Sequence, residues 1–512
     1  MKNQYNIYWT DMHSNIHHEQ INELEKWYEQ VKATMDFWPI AYYPYTMRKD
    51  ECGLGVEDIF PSDVINKDWE LIRDFTNKVN QSGYPMFMGY EWQGAGLDGD
   101  HNVFFKDNQE NMAYPLRYTD LVNTFKGKDA IGIPHHLAYH QGDRGKNWST
   151  HDETFSPVAE IYSSHGSSEN DNGPIEMTRH VHMGPRTGKT CVEAGLNKGK
   201  KIGVIAAGDN HSCPSVYGFG YCAVLAKSPS KEDIWDALIN RRTYGVSKDK
   251  IKLNFTIDGS EMGSIVKPNK NGKLSVKVNA SNAIDRIEII KDNVVDIMIP
   301  HTSTWEKEEF TGKVKFKFQL ELGWGPDRRI FPDIESRKWV GKLETPGKLL
   351  SVEKCWSTFG QSLDHVTDHS CEFNLTSYKT TATGKWMGPS AITTEGFIFE
   401  IEDDINSSVK LIIDGIEYNL SIRDIIKSSD LIPLMDEARM LLNETFGFNE
   451  YYRTDPWWHN AYKIKVNQAA PSIAYEREID MDMDTTQSNQ IRVRVWQKNG
   501  AVAWSSPIFI EE

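Results

Sequence analysis

The sequence is short of several things, and each shortage excludes something. Six cysteines stand in 512 residues (Cys52, Cys191, Cys213, Cys222, Cys355 and Cys371), with no Cys-x-x-Cys pair and no dense spacing. Neither a disulfide framework nor a cysteine-rich zinc site is expected; buried free thiols in a reducing compartment are. Basic residues are outnumbered, 57 Lys and Arg against 73 Asp and Glu for a net charge of −16. With no basic run either, a nucleic-acid partner is not expected. No apolar stretch approaches the roughly 18 residues a membrane span needs. The opening Met-Lys-Asn-Gln-Tyr-Asn lacks the apolar core of a secretory leader. The expectation is a cytoplasmic protein with no membrane partner. Short-period repeats and low-complexity linkers are absent too.

What is present is ordinary globular material, 39% apolar and 25% charged, enough for two to four domains at roughly 150 residues each. The 16 Trp, 21 Tyr and 21 Phe suit core packing first, and stacking on sugar rings second. The 16 histidines are unevenly placed: 12 lie at or before His211, and only His301, His365, His369 and His459 follow. The chemistry is therefore expected in the first half.

That half reads as repeated strand, loop and helix. Apolar runs at Tyr5–Trp9, Met35–Ala41, Tyr84–Tyr90, Ala130–Pro134, Val158–Tyr162 and Ile202–Ala207 alternate with helical periodicity around Ile21–Val31, Trp69–Val79, Tyr118–Phe125, Thr190–Lys198 and Lys231–Asn240. Such repetition predicts a parallel sheet and, with this many units, an α/β barrel. Polar residues of ligand type stand where the strands end: His13, Glu91, His135, His165, Asp209 and His211. In the last case, Gly208-Asp209-Asn210-His211 puts a carboxylate and an imidazole two positions apart, on one side of a strand end. Carboxylate and imidazole together suit Mn, Zn or Fe. From about Ile251 the apolar residues alternate at period two (Ile251–Ile257, Leu274–Val278, Val314–Phe318), as in half-exposed antiparallel strands. Turn-rich sequence with a helix near Leu434–Leu442 follows, and the final runs at Ile491–Trp496 and Ala503–Ile510 read as strands returning to complete an earlier β-sandwich-like unit. The expected division is 1–248, 249–335, 336–440 and 441–512.

The order of these segments resembles the PHP superfamily (polymerase and histidinol phosphatase), in its bacterial branch with a β-rich region after the barrel. The resemblance is carried by Tyr8-Trp-Thr-Asp-Met-His13, Gly89-Tyr-Glu91-Trp, His101-Asn102-Val, Ile133-Pro-His135-His136, Ala159-Glu-Ile-Tyr-Ser-Ser-His165-Gly-Ser-Ser-Glu169 and Gly208-Asp209-Asn-His211. Ile234–Gly245 and the terminal Val493–Pro507 also match that branch. The resemblance implies a distorted (β/α)7 barrel with a metal cluster. It places His13, Glu91 and Asp209 on a first ion, with Glu91 bridging to a second held by His135 and either His101 or His165. His211 falls at the third position. His135, Glu91 and Asp209 are then the candidate catalytic centre, with Glu160 or Glu169 as acceptors behind the histidines.

Two positions depart from the pattern. The family's opening His-x-His stands here as His13-Ser14-Asn15, and its second-strand Thr-Asp-His as Ala41-Tyr42-Tyr43. One or two divalent ions are expected rather than three, with His17 or His18 as spatial substitutes. His136, His140, Arg144, His180, His182 and Arg186 are candidates for binding an anionic substrate; Arg144 reads equally as part of a turn. Trp457-Trp458-His459 suits a sugar or domain packing, and Thr367-Asp368-His369 lies in the β-region and reads as coincidence.

By analogy the function expected is metal-dependent hydrolysis, most readily of a phosphoester. A carbohydrate-active hydrolase or lyase, with a saccharide in place of another small-molecule substrate, and a non-catalytic binding protein on a degenerate barrel stay open as alternatives.

Overall fold

The structure is a computed structural model and describes residues 5–49, 55–177, 185–301, 305–325, 333–334, 336–378, 394–447 and 462–512. Its first half is built from largely buried strands and amphipathic helices. The helix Leu24–Thr34 buries Leu24, Trp27, Tyr28 and Val31 on one face. The longer Ser62–Gln81 helix buries Ile65, Trp69, Ile72 and Val79 in the same way. The strands Trp38–Tyr43, Met86–Trp92, His101–Phe105 and Ala130–Pro134 are buried along their whole length, as strands covered on both faces must be.

A five-stranded sheet runs in the order Ser14–His17, Trp38–Tyr43, Met86–Trp92, His101–Phe105, Ala130–Pro134. Its first two pairings are parallel and its last two antiparallel. The uniformly parallel sheet expected from the repeat is corrected here. No helix lies between Trp92 and His101. Without a crossover between Met86–Trp92 and His101–Phe105, the chain can only turn back on itself. Val158–Ser163 and Gly203–Ala206 pair in parallel in a separate small sheet. An isolated bridge between Ser14 and Asn210 ties the loop after Gly203–Ala206 to the first sheet. Among the described residues these ladders form separate sheets and do not run on into one closed cylinder.

A longer sheet crosses from the first half into the second. Its path is Asn6–Thr10, Tyr221–Ala226, Thr243–Val246, Val502–Ser505, Gln490–Gln497, Ile284–Lys291 and Val294–Pro300. The two strands from the C-terminal end of the chain therefore sit in the middle, between strands of the first half and strands of the β-rich half. Behind them, Lys252–Ile257 and Gly272–Asn279 alternate buried and exposed positions, and Glu476–Met483 pairs with the latter. Two further antiparallel sheets, around Lys313–Gly323 with Thr394–Asp404 and Ser336–Glu344 with Ser370–Tyr378, share a core containing Phe316, Trp339, Phe373 and Phe397.

Cys191, Cys213, Cys222, Cys355 and Cys371 are free and buried; Cys52 lies outside the described residues. No helix among the described residues is long and apolar enough to cross a membrane.

Candidate metal centre

The site is assembled by the ends of strands and the loops that follow them. Asp11 fixes the first loop. Its Oδ1 accepts from the backbone N–H of His13 (3.0 Å) and of Gly208 (2.7 Å), and its Oδ2 from the Ser14 hydroxyl and the Ser215 N–H, both at 3.0 Å. A Cβ at Gly208 would lie 2.6 Å from Asp11 Oδ2, so only glycine lets the two loops meet. The next residue, Asp209, has a left-handed backbone (φ 48°), as does His136 (φ 34°). Neither is glycine, and such strain persists where the surroundings hold it in place.

Around this point the structure gathers His13, Glu91, His135, His136, His165, Asp209 and His211. His13 Nδ1 is 3.1 Å from Glu160 Oε2, while its Nε2 is 3.3 Å from Glu91 Oε2 and 3.4 Å from Asp209 Oδ1. Donation from Nδ1–H to Glu160 turns Nε2 toward the two carboxylates; without a metal Nε2 shares a proton with them, and a bound ion would displace that proton and take its lone pair. His165 Nε2 is 2.9 Å from Asp209 Oδ2, and its Nδ1 is 2.8 Å from the Tyr139 hydroxyl. His211 Nδ1 is 2.8 Å from His17 Nε2, and its Nε2 is 3.7 Å from Asp209 Oδ1. Three overlapping sets each bring their donor atoms within 4.8 Å of one another: His13, Glu91 and His135; His135, His136 and Asp209; His13, Glu160 and Asp209.

The protonation pattern follows from burial and charge. Burial opposes a charge on His13, but Asp209 and the hydrogen bonds to Glu160 and Glu91 outweigh it and raise its pKa well above the usual imidazole range. Burial would likewise raise Asp209, yet His13 and His165 hold its carboxylate well below its ordinary range. His135, His136 and His211 are all pushed down, chiefly by burial, so they are neutral imidazoles with a lone pair to give.

One observation tests whether these residues fit an ion. His135 is 1% exposed, and neither of its ring nitrogens has a hydrogen-bond partner among the described residues. An unpaired buried polar group costs about 1–3 kcal/mol. Its ring lies 4.2 Å from that of His13 and 4.3 Å from that of His136, among carboxylates, where a divalent cation would satisfy all of them at once. The donor set fits a metal.

Several expected site residues are elsewhere. His101 is not in the cluster: its Nδ1 is 2.8 Å from the Gly99 carbonyl and its Nε2 is 3.0 Å from Lys146 Nζ. Its lone pair is already taken by Lys146, whose pKa burial lowers to about 7. Asp100, one position earlier, reaches the cluster instead, 3.5 Å from both His136 Nε2 and Arg144 Nε. His140 lies exposed, 3.6 Å from Asp143. Arg186 donates to the carbonyls of Ser167, Asp171, Gly173 and Ile175 and so clamps a loop. Arg144 stays beside the site: it donates to Gln93 Oε1 (3.1 Å), and Gln93 donates to Glu91 Oε1 (3.0 Å). His180, His182 and Trp457-Trp458-His459 lie outside the described residues.

Of the two proposed acceptors, Glu160 serves the site and Glu169 does not. Glu169 binds Arg492 (2.5 Å), Arg494 (2.8 Å) and the Trp504 indole (2.8 Å) on the C-terminal strands. Of the proposed substitutes, His17 supports His211 from behind, and His18 pairs with Asp68 at 2.7 Å. Thr367-Asp368-His369 forms a surface turn in which Thr367 bonds Ser370. Asp11 lies within the Tyr8–His13 motif, which gave it no role, and Asp100 and Gln93 had no distinguishing signal in the sequence. A cavity of about 850 Å³, lined in part by Trp148, Arg286, Arg494 and Trp496, includes none of the cluster residues.

No family model matches the chain. It is 26% identical over 292 residues to an uncharacterized protein of Chlamydia pneumoniae, covering 49% of this chain and 46% of that one. It is 27% identical over 220 residues to an uncharacterized protein of Chlamydia trachomatis, covering 39% and 34%. The chain thus spans less than half the length of the curated relatives it matches. A crystal structure from Bacteroides vulgatus, described as a two-domain protein containing a predicted PHP-like metal-dependent phosphoesterase, aligns over 82% of this chain and 96% of that one. Its sequence identity is 13% and its TM-score 0.31.

Proposed function

We propose that the chain is a divalent-metal-dependent hydrolase acting on a phosphoester, on a first half that is a variant of the PHP-type barrel. The observation that carries the proposal is the buried His135 imidazole without a hydrogen-bond partner, set among His13, Glu91, His136 and Asp209. His13, Glu91 and Asp209, with His135 beside them, would hold one or two ions of Mn, Zn or Fe. Such an ion supplies Lewis acidity toward a water and toward an anionic substrate oxygen. Glu160 fixes the His13 tautomer, and His165 and Tyr139 orient Asp209. Arg144, only partly exposed beside Asp100 and Gln93, brings positive charge to the edge of the cluster, where an anionic substrate would meet it. The choice of a phosphoester over other substrates rests on what the resemblance of the motif order to the PHP superfamily implies.

The experiment is elemental mass spectrometry of the gently purified protein beside Asp209→Ala and His135→Ala, followed by assay on a generic phosphodiester. One or two equivalents of metal, lost in both variants together with turnover, is the expected result. Absence of metal after incubation with excess Mn, Zn and Fe would end the proposal.

A further inference from the structure

Asn15 stands two positions after His13 and enters the same cluster, and its surroundings are unusual for an amide. Its side chain is fully buried. The Nδ2 atom lies 3.0 Å from Glu91 Oε2, 3.2 Å from His13 Nε2, and 3.4 Å from both Asp209 Oδ1 and His211 Nε2. Two carboxylate oxygens and two ring nitrogens thus crowd one NH2 group, while the Oδ1 atom on the other end has no hydrogen-bond partner among the described residues.

The spacing shows which place Asn15 takes. His13 Nε2, Glu91 Oε2 and the Asn15 terminal atom are 3.0 to 3.3 Å apart. His13 Nε2, Asp209 Oδ1 and the same Asn15 atom are 3.2 to 3.4 Å apart. Atoms that share one ion at about 2.0–2.2 Å stand roughly 2.8–3.6 Å from each other. Asn15 therefore occupies a ligand's place beside the others and does not fill the place of the ion. Yet an NH2 group has no lone pair to give, whereas the amide oxygen does. A half-turn of the amide exchanges the two without demanding new space.

Resting on the metal-centre proposal, we infer that Asn15 is a turning ligand. Without an ion, its NH2 points inward and donates to Glu91 and Asp209, which relieves the repulsion between two buried carboxylates. With an ion, the cation repels NH2 and attracts the oxygen, so the amide turns and Oδ1 becomes a ligand. Because one end is unsatisfied in either orientation, the charge at the centre decides between them. The resulting set carries two carboxylates and an amide oxygen beside its imidazole, and oxygen-rich sets favour Mn(II) or Fe(II) over softer partners.

The test uses the full chain, with Mn(II) as the probe. Manganese affinity is measured by competition with a chelator, and melting temperature with and without manganese, for wild type, Asn15→Leu and Asn15→Asp. Asn15→Leu should bind manganese at least tenfold more weakly. Asn15→Asp, which places a third carboxylate beside the other two, should melt below wild type without metal and gain more from manganese than wild type does. Should Asn15→Leu fail to fold, the Asn15→Asp pair of melting curves decides alone. If both variants match wild type in affinity and in manganese-dependent stabilisation, Asn15 is no ligand, while the metal centre itself stands. If wild type binds no ion, both readings fall together.

Discussion

Glu160 determines what His13 can be. By accepting the Nδ1 proton at 3.1 Å it keeps Nε2 turned inward, as the ring nitrogen that would meet a metal. Glu160→Gln preserves the shape but can present its NH2 to His13 and lose that preference. We expect metal affinity to fall about 10–100-fold with the fold unchanged, as read by chelator competition beside circular dichroism. At this scale the sequence was informative where chemistry followed position in a strand: His13, Glu91, His135, His165, Asp209 and His211 end strands and meet in space. It left His101 and His165 as alternatives; His165 meets Asp209, while His101, which opens its strand, has its lone pair occupied by Lys146 from a distant loop. It was silent about Asp100, whose role depends on His136 and Arg144 arriving from elsewhere. Arg186 looked like an anion binder, and only the carbonyls around it show that it is a loop clamp.

Individual elements were readable because burial leaves a period in the sequence. The alternation in Lys252–Ile257 and Gly272–Asn279 marks strands with one covered face, and the stripe in Ser62–Gln81 marks a helix. Pairing direction was not readable, since it depends on the connections and leaves no period in the strands themselves. One strand carries a prediction of its own. Glu395, on Thr394–Asp404, is buried and accepts from the Ser357 N–H (2.7 Å) and the Thr358 hydroxyl (2.8 Å). Burial raises its carboxyl from 4.5 to about 8. Below pH 4.5 the acid is neutral in both folded and unfolded chains. Between 4.5 and about 8 the unfolded chain releases the proton while the folded one keeps it, so stability falls as pH rises. Glu395→Gln removes this titration, and its melting temperature should improve relative to wild type from pH 5 to pH 8. A constant difference across that range would refute the assignment.

The whole molecule is held by a charged seam. Glu169, from the loop after Val158–Ser163, meets Arg492 and Arg494 on Gln490–Gln497, and Arg492 also reaches Glu193 at 2.6 Å. Burial works against the Glu169 charge, but the two arginines hold its pKa below the usual value. Glu169→Ala should cost about 3 kcal/mol or more, because Arg492 is 1% exposed and would lose a partner it cannot replace with water. Urea unfolding of the intact chain measures this, and a loss below 1 kcal/mol would show that the seam is not structural.

The central place of the C-terminal strands also bears on how the chain is made. The ribosome delivers Thr243–Val246 long before its neighbour Val502–Ser505. At roughly 5–20 residues per second the wait is about ten seconds to a minute. Throughout that interval the nascent chain carries a bare strand edge able to pair with any other unfinished copy on the same message. Polysome crowding and chaperone supply should therefore govern the yield of this protein more than its final stability does.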